Sequence, residues 1–91
     1  MEFDKETTFH LIGIGGIGVS GVARILHQRG YEVTGSDVRE SSITRALAEE
    51  GMEVTIGHEP DNVEGADIVV QSTAIPEENI ELKAARERGI E

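Results

Sequence analysis

The sequence has no cysteine and no tryptophan, and only two of its 91 residues are proline. Without cysteine, disulfides and thiolate catalysis are excluded. The three histidines, His10, His27 and His58, lack any spacing typical of metal ligands. No apolar run approaches the roughly 20 residues that a membrane-spanning helix needs. Residues 1–8 are charged and do not resemble a signal peptide, so the sequence predicts a cytoplasmic protein.

Positive charge is also scarce, because 18 acidic residues stand against 8 basic ones and give a formal net charge of −10. Proteins that bind nucleic acid or anionic membranes neutralise phosphates with clustered lysine and arginine. With only Lys5 and Lys83 as lysines, this chain has no basic patch. The composition therefore predicts neither a nucleic-acid partner nor a membrane partner.

Short apolar runs alternate with helical patterns along the chain. Strands are predicted over 8–13, 31–37, 53–57 and 67–72, and helices over 17–30, from Ser41 or Ser42 to Gly51, and from Pro76 to Gly89. The polar segment 58–66 is too short for a full crossover helix and has room for one helical turn. This order predicts a Rossmann-like α/β fold, with a parallel sheet of four to five strands flanked by helices in a single small domain over 1–91. A fifth strand would begin near Ile90.

Helical periodicity predicts which residues face the core. Apolar residues recur at i, i+3, i+4 and i+7 in the first helix, and a shorter apolar set marks the second. The inward set is Val19, Val22, Ala23 and Leu26 in the first helix, and Ile43, Ala46 and Leu47 in the second.

Glycines are concentrated at the predicted junction between the first strand and the first helix. Gly13, Gly15 and Gly18 satisfy G-x-G-x-x-G in the strand-to-helix context that gives this motif its meaning. Gly13 permits a tight turn, Gly15 allows a diphosphate to approach the backbone, and Gly18 allows close packing of helix on strand. The N–H groups of Gly16, Ile17 and Gly18 then face the anion at the positive end of the helix. The alternative is a glycine-rich turn that serves packing alone.

Further polar residues follow the other predicted strands. Asp37 ends the second strand, 19 positions after Gly18, where an acid can accept hydrogen bonds from ribose hydroxyls. His58 follows the third strand, and Ser72, Thr73 and Ala74 follow the fourth. Carboxyl ends of parallel strands share one edge, where such sheets bind ligands. Each has a structural alternative. Asp37 could cap a helix or stabilise a turn, and His58 could be a solvated loop residue. The serine–threonine pair could cap the last helix.

The remaining histidines and the missing motifs give no sign of catalysis. His10 lies within a predicted strand, and His27 is expected on a solvated helix face. The sequence has no phosphate-binding loop of the G-x-x-x-x-G-K-[ST] type, no nucleophile elbow and no metal cluster. The residues therefore predict a binding module without catalytic residues.

Four stretches occur in an order that resembles the N-terminal domain of the Mur ligases. They are HLIGIGGIGVSGVARIL, GYEVTGSDVRES, TIGHEPDNVEGADIVVQSTAIPEEN and AARERGI, and the likeness extends over residues 9–90. The strongest marks are the glycine loop with VSG, and the GSD, GH and STAI that follow the second, third and fourth strands. Val19 stands where the family commonly has methionine.

The resemblance implies a function for the domain. It would bind the UDP moiety of UDP-N-acetylmuramate, with Gly15, Gly16, Ile17 and Gly18 on the diphosphate. The residues around uridine and ribose would be Asp37, His58, Ser72, Thr73 and Ala74. The implied parent is an ATP-dependent ligase that adds L-alanine in peptidoglycan precursor synthesis. ATP and Mg²⁺ would bind in a central domain. This chain is expected to contain neither that domain nor the C-terminal one. The fragment alone is expected to be inactive and to hold no cofactor.

Two alternatives to the alanine-adding ligase stay open at this point. One is the tripeptide-adding member of the same family, which usually has fewer glycines in the loop. The other is a regulatory NAD-binding module of a potassium channel or transporter, which shares the glycine loop and the acid after the second strand. Those modules usually have an aspartate soon after the third strand, where this chain has GHEP.

Overall fold

The computed structural model describes residues 6–71 and 75–90. In this part of the chain, four strands and three α-helices alternate, with one 3₁₀ helix between the last two strands. Their bounds are β1 Thr8–Ile12, α1 Ile17–Gln28, β2 Glu32–Asp37, α2 Ser42–Glu49, β3 Glu53–Ile56, the 3₁₀ helix Pro60–Val63, β4 Ile68–Gln71 and α3 Ile80–Glu87. The strands form one sheet in the order β3-β2-β1-β4, and every neighbouring pair is parallel. The predicted Rossmann-like α/β fold is confirmed.

The two faces of the sheet bury different kinds of side chain. On one face, Phe9, Leu11 and Val33 pack with residues of α1 and α2 in the main apolar core. On the other, Val63 packs with Ala84 and Ala85 of α3 in a smaller cluster. The centre of this second face is polar, because buried His10 lies between Phe9 and Leu11 on β1. Neighbouring strand residues point to opposite faces, so β1 serves both layers.

The apolar face of α1 is narrower than its periodicity predicts. Val19 and Ala23 are buried, but Val22 is 41% exposed, so its predicted inward position is wrong. In α2, Leu47 is fully buried, and Ile43 packs against the same core.

Side-chain caps fix where the two later α-helices begin. Ser41 caps α2, since its hydroxyl accepts from the Thr44 N–H and the Thr44 hydroxyl accepts from the Ser41 N–H. The last helix does not begin at Pro76, and that prediction is wrong. The Asn79 side chain accepts from the N–H groups of Glu81 and Leu82, so α3 starts at Ile80.

The connection between β3 and β4 is a single 3₁₀ turn, Pro60–Val63, which confirms the predicted short link. Val63 within it is fully buried against α3. In the ranges 6–71 and 75–90, no helix is both long and apolar enough to cross a bilayer.

Candidate functional site

The glycine loop begins with a turn that fixes four successive backbone amides. Gly13 follows β1 with φ of +79°, a conformation that glycine adopts without steric cost. The N–H groups of Gly13 and Ile14 both donate to the Ser36 carbonyl, at 2.8 and 2.9 Å. The Gly15 N–H donates to Asp37 Oδ2 at 2.9 Å, and the Gly16 N–H donates to the Gly13 carbonyl at 2.9 Å. The predicted role of Gly13 in the turn is therefore confirmed.

Within the described residues, the next three amides have no such partners. Gly16 is the N-cap of α1 and has no side chain with which to cap the helix. In the first turn of an α-helix, the N–H groups lack carbonyl acceptors one turn earlier. Those of Ile17, Gly18 and Val19 are therefore available to an acceptor from outside. Gly16 and Gly18 are exposed, and Ile17 is 87% exposed. The end of α1 is an open surface on which amide donors and the helix dipole favour an anion.

Gly15 and Asp37 form the contact that shapes the loop. A Cβ built on Gly15 would lie 2.8 Å from Asp37 Oδ2 and 3.0 Å from Thr44 Cγ2. Only glycine therefore allows the Asp37 carboxylate to reach the loop backbone. Ser41 is the cap of α2, so a helix-capping role for Asp37 is wrong. Among the described residues, Asp37 Oδ1 has only a 3.4 Å contact with the Arg39 N–H, so it can accept from a further donor.

Gly18 does not have the packing role that the motif predicts. A Cβ added there would meet nothing within 4 Å. Close approach of helix to strand therefore does not require glycine at this position. Because Gly18 has no side chain, the N-terminal end of α1 stays exposed to solvent.

The carboxyl ends of the strands bring the predicted residues to one edge. The pairing register sets Ile12 beside Ser36, and Asp37 beside Ile56, the residue that ends β3. His58 lies just past β3, and its Nδ1 is 3.0 Å from the Ser36 hydroxyl. The glycine loop, Asp37 and His58 therefore share this edge. Ser72, Thr73 and Ala74 lie outside the described residues.

A buried glutamate from α3 stands at the centre of the polar face. Glu81 is fully buried, and its two carboxylate oxygens accept five hydrogen bonds. Oε1 accepts from the Ser36 hydroxyl at 2.6 Å and from His10 Nε2 at 2.7 Å. Oε2 accepts from Asn62 Nδ2 at 2.7 Å, and from His58 Nδ1 and the Glu59 N–H at 3.1 Å each. The far nitrogen of His10, Nδ1, lies 2.7 Å from the Thr34 hydroxyl.

These hydrogen bonds decide the ionisation of Glu81. Burial alone raises the pKa of a carboxyl group, because the charged form loses its hydration. Here the hydrogen bonds from His10, Ser36, Asn62 and His58 outweigh burial and lower the pKa of Glu81 from 4.5 to about 2. Glu81 is therefore a carboxylate at neutral pH, and the polar centre holds a full negative charge.

Each of the three histidines has a polar partner in the structure. His58 is not a solvated loop side chain, since only 13% of it is exposed and its Nδ1 contacts Glu81. His10 lies in a strand as predicted, but it is a buried member of the Glu81 cluster. His27 on α1 lies with Nε2 2.9 Å from the Glu50 carbonyl.

Sequence reasoning missed Glu81, the most connected side chain of this edge. One signal could have found it. Glu81, Ala84 and Ala85 recur at i, i+3 and i+4, which sets the glutamate on the buried face of the helix. A buried carboxylate requires hydrogen-bond partners, and His10, Ser36 and His58 are the polar residues on the facing elements.

The described residues contain no group of three or more histidine, aspartate or glutamate side chains arranged to hold a metal ion. The parallel sheet, the glycine loop and the polar strand ends define a Rossmann-like α/β domain with an open edge. The chain belongs to the Mur ligase family, because the family described as "Mur ligase family, catalytic domain" matches residues 8–91. The resemblance seen in the sequence is thereby confirmed.

Individual relatives agree with this assignment. The UDP-N-acetylmuramate--L-alanine ligase of Desulfatibacillum aliphaticivorans is 50% identical over 88 residues, which are 97% of this chain and 19% of that protein. The crystal structure of UDP-N-acetylmuramate-alanine ligase from Thermotoga maritima matches with a TM-score of 0.89 and 33% identity, over 93% of this chain and 20% of that one.

A murein peptide ligase from Psychrobacter arcticus matches with a TM-score of 0.84 over 92% of this chain and 18% of that one. At 22% identity, this likeness shows the fold alone. The chain spans about a fifth of the length of the first two relatives.

Proposed function

We propose that this chain is the substrate-anchoring domain of an ATP-dependent UDP-N-acetylmuramate–L-alanine ligase, and that it binds the UDP moiety of UDP-N-acetylmuramate. The diphosphate lies at Gly15–Gly18. Asp37, His58 and the segment Ser72, Thr73 and Ala74 surround the uridine and ribose. Remote binding of the nucleotide holds the distant carboxylate in place for reaction elsewhere in the parent enzyme.

The observation that carries this proposal is the division of the loop amides. Four successive N–H groups, from Gly13 to Gly16, are used inside the protein. The three that follow, from Ile17 to Val19, lie in the first turn of α1 and have no acceptor among the residues that the structure describes. A diphosphate offers acceptor oxygens for such donors. Local amides therefore overcome the net charge of −10, which opposes anion binding at long range.

Calorimetry on this 91-residue domain tests the proposal. We expect weak but measurable binding of UDP and UDP-N-acetylmuramate and no binding of NADH. Tighter binding of NADH than of UDP would instead support the regulatory NAD-binding module. The names of the curated relatives do not favour that module.

The variant Asp37→Asn tests the ribose contact. The asparagine side chain keeps an oxygen for the Gly15 N–H but loses the second carboxylate oxygen as an acceptor. We expect the affinity for UDP to fall roughly three- to tenfold, because one hydrogen bond is worth about 1 kcal/mol. The matched control is Asp67→Asn, since Asp67 Oδ2 accepts the Thr8 N–H at 2.8 Å at the opposite end of the sheet. Equal affinities of Asp37→Asn and Asp67→Asn for UDP would show that Asp37 has a structural role and does not contact the ribose.

The catalytic parts of the parent enzyme would lie in its other domains. ATP and Mg²⁺ would bind in the central domain, and the C-terminal domain would bring in the amino acid. There, ATP would phosphorylate the muramyl carboxylate and leave as ADP, and the L-alanine amine would attack the acyl phosphate and displace inorganic phosphate. Because the reaction consumes ATP, we place the parent enzyme in the cytoplasm, in peptidoglycan precursor synthesis.

A further inference from the structure

The hydrogen bonds around Glu81 determine which nitrogen of His58 carries a proton. The Ser36 hydroxyl has one hydrogen, which it donates to Glu81 Oε1 at 2.6 Å. In its 3.0 Å contact with His58, the Ser36 oxygen can therefore only accept. Glu81 Oε2 is a carboxylate oxygen and also only accepts, at 3.1 Å from the same nitrogen. Both contacts require a hydrogen on His58 Nδ1.

The other ring nitrogen of His58, Nε2, has no hydrogen-bond partner among the described residues. The His58 side chain keeps 13% of its surface exposed. With Nδ1 protonated, neutral His58 offers Nε2 as an acceptor.

We propose that Glu81 is a positioning residue: it fixes the ring of His58 with Nδ1–H inward, and so presents Nε2 to the nucleotide at the carboxyl edge of the sheet. This inference rests on the proposed function. Glu81 itself is fully buried and does not touch the ligand. It acts across elements, because α3 supplies the carboxylate and the loop after β3 supplies the histidine. Asn62 and the Glu59 N–H hold the same oxygen in place.

The first test measures the His58 ring in the wild-type domain without ligand. Nitrogen-15 NMR distinguishes a protonated from an unprotonated ring nitrogen. At a pH where His58 is neutral, we expect hydrogen on Nδ1 and none on Nε2. A ring protonated on Nε2 alone would overturn the proposal. Adding UDP is expected to shift the Nε2 resonance and to leave Nδ1 protonated. If UDP binds and Nε2 does not respond, the proposal also fails.

The second test uses Glu81→Gln with a matched control. The amide can donate to Nδ1, so we expect the Nε2-protonated form of His58 to gain population and UDP affinity to fall about tenfold. The control is Thr34→Val, which removes the partner of His10 on the far side of the same cluster. It should leave both the His58 tautomer and UDP affinity unchanged.

A double variant shows whether Glu81 acts through His58. In a His58→Ala background, Glu81→Gln should cause no further loss of UDP affinity. An additional tenfold loss there would overturn the proposal. If Glu81→Gln does not fold, the wild-type tautomer measurement still decides. Absence of UDP binding in the wild type would refute the proposed function instead, and the tautomer of the free domain would stand as a separate result.

Discussion

Gly18→Ala is expected to lower the affinity for UDP at least tenfold while the domain keeps or gains stability. Side chains on a helix tilt toward its N-terminus, so a methyl group at Gly18 projects toward the open end of α1. In the described part of the chain, the added Cβ meets no atom within 4 Å. We propose that the diphosphate lies in this space. Alanine in place of an exposed helical glycine stabilises by up to about 1 kcal/mol.

Gly21→Ala is the matched control for this variant. Gly21 lies in the same helix, is exposed, and has no atom within 4 Å of an added Cβ. It should gain the same helix stability and bind UDP as the wild type does. Calorimetry and thermal unfolding of both variants give the two measurements. Wild-type affinity in Gly18→Ala would argue against the diphosphate site.

Gly15→Val would be a poorer test. A side chain there displaces Asp37, so it changes structure and site together.

Acid is expected to remove about 3 kcal/mol of stability through Glu81 alone. Folding lowers the pKa of this carboxyl from 4.5 to about 2. A group with a depressed pKa in the folded state stabilises fully above its unfolded pKa and loses that contribution as pH falls through the folded pKa. The window is therefore about pH 5 to about pH 2. Since each pKa unit corresponds to about 1.4 kcal/mol, the difference between wild type and Glu81→Gln should shrink by about 3 kcal/mol across it.

Urea unfolding at several pH values between about 7 and about 2 measures this difference. The control is Glu53→Gln, because Glu53 is exposed at the start of edge strand β3. It should track the wild type within about 0.5 kcal/mol at every pH. If the free energies of unfolding of the wild type and Glu81→Gln change in parallel with pH, the hydrogen bonds do not lower the pKa of Glu81.

Local patterns were enough to predict the sheet and the glycine loop. Strand runs, helix periodicity and G-x-G-x-x-G each depend on neighbours within a few positions. The common edge of the loop, Asp37 and His58 then followed from parallel pairing. The start of α3 was missed because Pro76 is favoured at a first helical turn, whereas the Asn79 side chain caps the helix that forms.

Helix periodicity could have indicated that Glu81 is buried, but it could not predict which donors surround the carboxylate. His10 and Glu81 are 71 positions apart, and their contact depends on how α3 packs on the sheet. Composition indicates only that a buried carboxylate needs partners, not which donors meet it. The same is true of Gly15, whose backbone N–H donates to an aspartate side chain 22 positions further along the chain.

The hydrogen-bonded amides of the glycine loop affect the entropy of ligand binding. Gly13, Ile14, Gly15 and Gly16 are already anchored to β2 or to each other without ligand. The conformational entropy of this segment is lost when the chain folds, so ordering the segment does not weaken ligand binding. If UDP binds at this loop as we propose, the main chain of the loop should rearrange little on binding.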